Sequence, residues 1–363
     1  MPGAPSFSER LLACPALCLV AWALLAGCPL RAQTPPAGGA STNSFMRVAS
    51  PDTNTVQLEI AIRRLLPART GAPIVSLVGV SHLGESNYYA AIQKRLDAQA
   101  LVLFEGVGHP DAQDDAKPAS GDAARPSRKL EVDEDSLQFN MAKSLGLAFQ
   151  LSAIDYDRAH FKNSDMSVEQ IARVLGGGTS RRTPVEAKPA EQPAAAPDAA
   201  RPSTELAVLM QVMDGTSFLG RLANGLFKWL GSSPRMQAST KLMLIETLGN
   251  LQGDFSEAAA LPPDMKRLLA VLLHARNGVV VEDIKAELAK PEPARTIAVF
   301  YGAAHMHDLE KRLCEELGYR VEGDEWLPAI RVNLRESGVT TGDLQFIRRT
   351  VQWQLQMLNQ PRP

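Results

Sequence analysis

One pattern constrains this chain more than any other, and it occurs twice. Val75-Ser76-Leu77-Val78-Gly79-Val80-Ser81-His82 is an apolar run ending in Gly-x-x-His, and Ile297-Ala298-Val299-Phe300-Tyr301-Gly302-Ala303-Ala304-His305 repeats it far downstream. A short apolar run bounded in this way reads as a buried strand. Each run leads into a helical pattern: Tyr89, Ile92 and Leu96 after Ser86, and Leu309, Leu313 and Leu317 before Gly318, a candidate C′ glycine. A new strand follows each helix, at Leu101–Phe104 and at Tyr319–Val321. Two strand-Gly-x-x-His-helix-strand units predict an α/β fold with a mixed central sheet.

Ligands of open α/β sheets sit beyond the carboxyl ends of the strands. Gly79 and Gly302 are therefore candidate binding glycines, where bare backbone lets a ligand come close. His82 and His305 follow them, and Glu105 closes the second strand of the first unit. Two imidazoles and one carboxylate suit a divalent transition metal with open positions for water and substrate. Three residues compete for the role of general base: Glu85, Asp157 and Tyr301. His307 forms a His-x-His pair with His305, but a helix starting there turns the two side chains about 200° apart. The chain has no His-Glu-x-x-His and no Gly-x-Ser-x-Gly, which argues against the common zinc-protease and serine-hydrolase frames. Ser81 as a nucleophile lacks a local activating group.

Gly79-Val80-Ser81-His82, Glu105 after its strand, and Gly302-Ala303-Ala304-His305 together resemble the TraB/GumN/Tiki superfamily, related to the erythromycin-esterase and ChaN-like proteins. Arg276-Asn277 followed by Ile284 is similar to that family's arginine-bearing segment, and Asp157-Arg158 to an acid-arginine pair. The resemblance runs from Val56 to Asn333, with two insertions. It implies an α/β domain and, as in some members, a manganese- or cobalt-type metalloprotease acting on a peptide or protein. His82, Glu105 and His305 would hold the metal. Arg276 would steady an oxyanion or orient Asp157 or Glu105, and Asp157 either joins the site or fixes its loop. Other members are linked to haem handling, pheromone shutdown or polysaccharide production. A non-catalytic module that holds haem or a peptide is therefore the alternative.

Composition narrows the partners. The net charge of −2 argues against a nucleic-acid partner. Arg10 followed by the apolar run Leu11–Leu25 reads as a signal peptide within residues 1–33. It ends Leu25-Ala26-Gly27-Cys28, which looks like a lipoprotein box; cleavage near Gln33 is the competing reading. Either places the domain in the periplasm or outside the cell, the first with a lipid anchor in a membrane. Cys14, Cys18 and Cys28 fall in the leader, so Cys314, read as a core residue, has no partner for an internal disulfide.

Residues 34–54 read as a flexible tether and 55–335 as the α/β domain. Inside it, 108–128 and 176–204 are Pro-, Ala- and charge-rich insertions too poor in apolar residues to order themselves, and 205–261 is a Met- and Phe-rich helical cap. His109, in the first insertion, reads as a solvated loop residue, and His160 as a surface or capping one. Val56, Leu58, Ile60 and Ile62 alternate with Gln57, Glu59, Ala61 and Arg63, predicting a half-exposed edge strand. Leu147–Ile154 reads as another strand, with Ser164 or Asp165 capping a short helix beyond it. A helix from Pro263 ends at Arg276-Asn277, and a further one covers Val280–Leu288. Trp326–Leu334 reads as an edge strand because of Pro328. Residues 336–363 carry an amphipathic helix capped by Thr341, apolar enough to pack on the domain or on a second copy.

Overall fold

The computed structural model describes residues 44–106, 137–167, 170, 171, 174, 233–251, 266 and 269–359. The leader, most of the tether, both insertions with His109, and the cap apart from 233–251 lie outside them. The described chain is α/β, built on a mixed seven-stranded sheet. In chain order its elements are β1 (Met46–Ala49), β2 (Thr55–Pro67), β3 (Ile74–Val80), β4 (Leu83–Gly84), α1 (Ser86–Leu96), β5 (Leu101–Phe104), α2 (Leu137–Ser144), β6 (Ala148–Phe149), α3 (Gln150–Ala153), β7 (Phe161–Asn163), α4 (Pro234–Gly249), α5 (Arg276–Leu288), β8 (Thr296–Gly302), α6 (Met306–Leu317), β9 (Tyr319–Asn333), α7 (Leu334–Ser337) and α8 (Thr341–Asn359).

The strand order is β1-β2-β3-β8-β5-β7, with β9 on the other side of β2. β3, β8, β5 and β7 are parallel; the pairs made by β2 are antiparallel. The last strand of the parallel block thus inserts between β3 and β5, so the two Gly-x-x-His units end side by side. Side chains alternate across the sheet as the pleat requires. Val78, Val80, Phe104 and Phe300 face α1, α4 and α8, while Leu77, Leu103, Val299 and Tyr301 face α5 and α6.

β2 is not an edge strand. β9 runs along one side of it, and β1 and β3 share the other. Of its polar alternates Gln57 and Arg63 are accordingly buried, Arg63 to 2% exposure, and Glu59 is half-buried. That guanidinium binds both oxygens of Asp324 at 2.7 Å and Glu310 at 2.6 Å, and lies 4.3 Å over the Phe45 ring. The two strands expected at Tyr319 and Trp326 are one continuous β9 on the sheet edge, and the register slips beside Pro328.

Three local expectations give way. Leu147–Ile154 is a two-residue strand and one helical turn, because Gln150 turns its N–H onto the His82 carbonyl. The helix does not stop at Arg276-Asn277; a π turn at Val271–Ala275 leads straight into α5. Ser167 and Thr340, not Ser164 or Asp165 and Thr341, supply the capping oxygens: Ser167 Oγ accepts from the Gln170 N–H and Thr340 Oγ1 from the Asp343 N–H, while Ser164 Oγ donates to Asp283. Gly318 closes α6 in the left-handed region at φ 70°, as expected. Among the described residues no helix is long and apolar enough to cross a membrane.

Candidate active site

The pairing of β3 with β8 sets Val80 opposite Gly302 and Gly79 opposite Tyr301. The two motif glycines are therefore one step out of register, and they do different jobs. A Cβ on Gly79 would press on Ile60 and the Ala61 carbonyl at 3.1 and 3.2 Å, so Gly79 is a packing glycine and not a binding one. Gly302 stands at the end of β8. A Cβ there would lie 3.4 Å from Glu105 Oε2, 3.8 Å from His82 Nε2 and 3.8 Å from His305 Cδ2. The three side chains thus surround one point, supplied by β3, β5 and β8 from their carboxyl ends.

Glu105 is held rigidly. Its Oε2 accepts from the Gly302 N–H at 2.8 Å and its Oε1 from Arg276 at 2.7 Å, with His305 Nε2 at 3.7 Å. Arg276 grips both oxygens of Asp165 at 2.8 and 2.7 Å, the bidentate geometry that fixes a guanidinium. The Asp165 side chain is fully buried and also accepts from the Gly106 and Met166 N–H groups. Burial would raise the Glu105 carboxyl, but His305, Arg276, His82 and the Gly302 amide outweigh it and hold it well below the usual range. Burial draws His305 down to about 4, against the opposing pull of Glu105. At neutral pH His305 is then uncharged, and Arg276 with the Gly302 N–H keeps Glu105 ionised. Two carboxylates, Asp165 and Glu105, thus share the single guanidinium of Arg276.

Each imidazole is tied down through Nδ1. His82 Nδ1 lies 2.9 Å from Gln150 Oε1, and Gln150 Nε2 donates to the Tyr156 hydroxyl at 2.9 Å. His305 Nδ1 lies 2.7 Å from Asn277 Oδ1 and its ring stacks edge-on against Tyr301 at 5.3 Å. With Nδ1 engaged on both rings, the Nε2 atoms are left to face the crevice. The π turn just before Arg276 serves this arrangement. It resets the helix so that consecutive residues, Arg276 and Asn277, are both buried against the site.

The remaining candidates fall elsewhere. Asp157 is exposed and its backbone N–H binds the Asp155 carboxylate; Arg158 pairs with Asp97 and Asp155, so the acid on Arg276 is Asp165. Glu85 is engaged by Arg331 at 3.0 Å, and Tyr301 donates its hydroxyl to the Ser164 carbonyl. Burial pushes that phenol well above its ordinary value, with Asp165 and Glu105 adding to the effect, so it is no base. Ser81 donates to the Leu83 carbonyl, and His160 bonds the Leu96 carbonyl at the end of α1. His305 has helical backbone angles, consistent with His307 turning away.

Among the described residues no three His, Cys, Asp or Glu side chains are gathered as an assembled metal cluster. The donor types nevertheless suit one: His82 Nε2 and Glu105 Oε2 lie about the Gly302 point, and His305 Nε2 lies 3.7 Å from the other Glu105 oxygen. Glu105 would have to share oxygens it now gives to Arg276 and Gly302. No protein-family model, curated protein or solved structure matches the chain.

Proposed function

We propose that this protein is a metal-dependent hydrolase acting on peptide bonds outside the cytoplasm, as the motif resemblance to TraB/GumN/Tiki proteins suggests. The observation that supports this reading is the meeting of His82, His305 and Glu105 around Gly302. His82 and His305 would give their Nε2 atoms to a divalent ion of the manganese or cobalt type, and Glu105 a carboxylate oxygen. Such an ion supplies a Lewis acid that polarises a carbonyl and lowers the pKa of water. Arg276 and Asp165 hold Glu105 in place, so Arg276 acts as an orienting group; its contacts are spent on the two carboxylates and the Leu272 carbonyl. Aromatic rings pack beside the site, Tyr156 against Phe104 and Phe300 and Tyr301 against His305. The leader sequence supports an envelope location.

The test is metal content of the purified full-length protein, followed by cleavage of a peptide library with Mn²⁺ or Co²⁺ added. His82→Ala and His305→Ala should each abolish metal uptake and cleavage while the protein stays folded. Wild-type protein that takes up neither ion, with alanine variants that change stability alone, would sink the proposal.

A further inference from the structure

Behind His305 lies a second group that does not touch the crevice. Asn277 is fully buried, and its Nδ2 donates to Asp308 Oδ2 at 2.8 Å and to the His305 carbonyl at 3.2 Å. Asp308 also accepts from Arg312 at 2.8 Å and faces His274 Nδ1 at 3.2 Å. The order of donors and acceptors in this chain is forced. A carboxylate and a carbonyl only accept, so the NH₂ end of Asn277 must face them. The oxygen end then faces His305 Nδ1, and that nitrogen must carry the ring proton.

We propose that Asn277 and Asp308 are positioning residues that fix His305 as the Nδ1–H tautomer, so that Nε2 presents its lone pair beside Glu105. Asp308 acts at one remove, by deciding which end of the amide meets the ring. The first motif has a parallel device, since Gln150 offers its oxygen to His82 Nδ1 and its NH₂ to Tyr156. With the Gln150 amide in that orientation, two carboxamides from unrelated parts of the chain present both imidazoles as electron-pair donors beside Glu105. That is the polarity a cation needs and an anionic ligand does not. The tautomer is a property of the metal-free protein; its consequence for binding rests on the metal reading above.

The experiment uses full-length, metal-free protein carrying ¹⁵N-histidine, with two-bond ¹H–¹⁵N correlations to show which ring nitrogen is protonated. His305 is assigned from the signals missing in His305→Gln. The wild type should show Nδ1–H. Asn277→Leu should move the proton to Nε2 or mix the tautomers, and lower Mn²⁺ or Co²⁺ affinity about 10–100-fold. The double variant Asn277→Asp with Asp308→Asn keeps an acceptor against the ring and reverses the donor in the bond to residue 308, giving up the bond to the His305 carbonyl. It should restore Nδ1–H and the affinity. Nε2–H in the wild type, or Nδ1–H retained in a folded Asn277→Leu protein, overturns the proposal. Should Asn277→Leu fail to fold, the wild type and the double variant decide: loss of Nδ1–H in either also overturns it. A wild type with Nδ1–H that binds neither ion would leave the positioning role standing and remove the metal hydrolase.

Discussion

Gly302→Ala separates the site from the fold. The backbone at Gly302 has φ −50° and ψ 138°, which any L-residue adopts without strain. The added methyl carbon would make ordinary contacts of 3.4 to 3.8 Å with Glu105, His82 and His305, so nothing in the apo protein must move. Replacing glycine at such a position removes freedom from the unfolded chain and stabilises by about 0.4–1 kcal/mol. Binding is another matter. A transition-metal ion lies about 2.1 Å from an imidazole nitrogen. Placed on the line from His82 Nε2 to the new carbon, 3.8 Å long, it would be only about 1.7 Å from that carbon. An ion in that position would have to leave at least one ligand. We expect Mn²⁺ and Co²⁺ affinity to drop at least about a hundredfold, near 2.8 kcal/mol, with the melting temperature of metal-free protein unchanged or slightly raised. Titration calorimetry and a thermal melt on the same samples measure both. A folded Gly302→Ala protein that binds either ion as tightly as wild type would refute the geometry of the site.

Other perturbations test the frame. Arg63→Leu leaves Asp324 and Glu310 without their shared cation, and should lower unfolding free energy by about 1.5–3 kcal/mol in urea titrations; a loss under about 0.5 kcal/mol would show that solvent replaces the guanidinium. Gly249→Ala puts a carbon 2.6–2.9 Å from Val48 and the Arg47 backbone, so α4 must shift off β1 at about 1–3 kcal/mol; an unchanged denaturation midpoint would contradict that close approach. His305 is drawn from 6.5 to about 4 by burial, so between those values the unfolded metal-free chain binds more protons. Stability should therefore rise with pH across that window, by up to about 3 kcal/mol, and His305→Gln should flatten the slope.

Much of this arrangement could be read from the residues alone. His82, Glu105 and His305 each close an apolar run, and a strand that ends in Gly-x-x-His or Phe-Glu-Gly places its polar residue at the sheet's rim. What sequence patterns do not carry is pairing between distant strands, so the one-residue offset that gives Gly302 the site and Gly79 the core was out of reach. Gln150 sits in a run whose apolar residues, Leu147, Phe149 and Ile154, suit a strand, while a single bond to the His82 carbonyl turns it into helix. Asp165 resembles any capping acid until Arg276 arrives from another helix. The π turn at Val271–Ala275 inserts one residue without a compositional mark, so Asn277 reads as the end of a helix although the helix runs on.

The position of β8 has a bearing on how the molecule comes into being. Until residues 296–302 emerge, β3 and β5 have a vacant slot one strand wide between them, each with a raw hydrogen-bonding edge. The same segment ends in Gly302 and leads directly into the turn that carries His305, so closing that slot and bringing His305 to His82 and Glu105 are one event. A nascent or truncated chain lacking it would be prone to aggregate, and would hold His82 and Glu105 without their third neighbour until the sheet is whole.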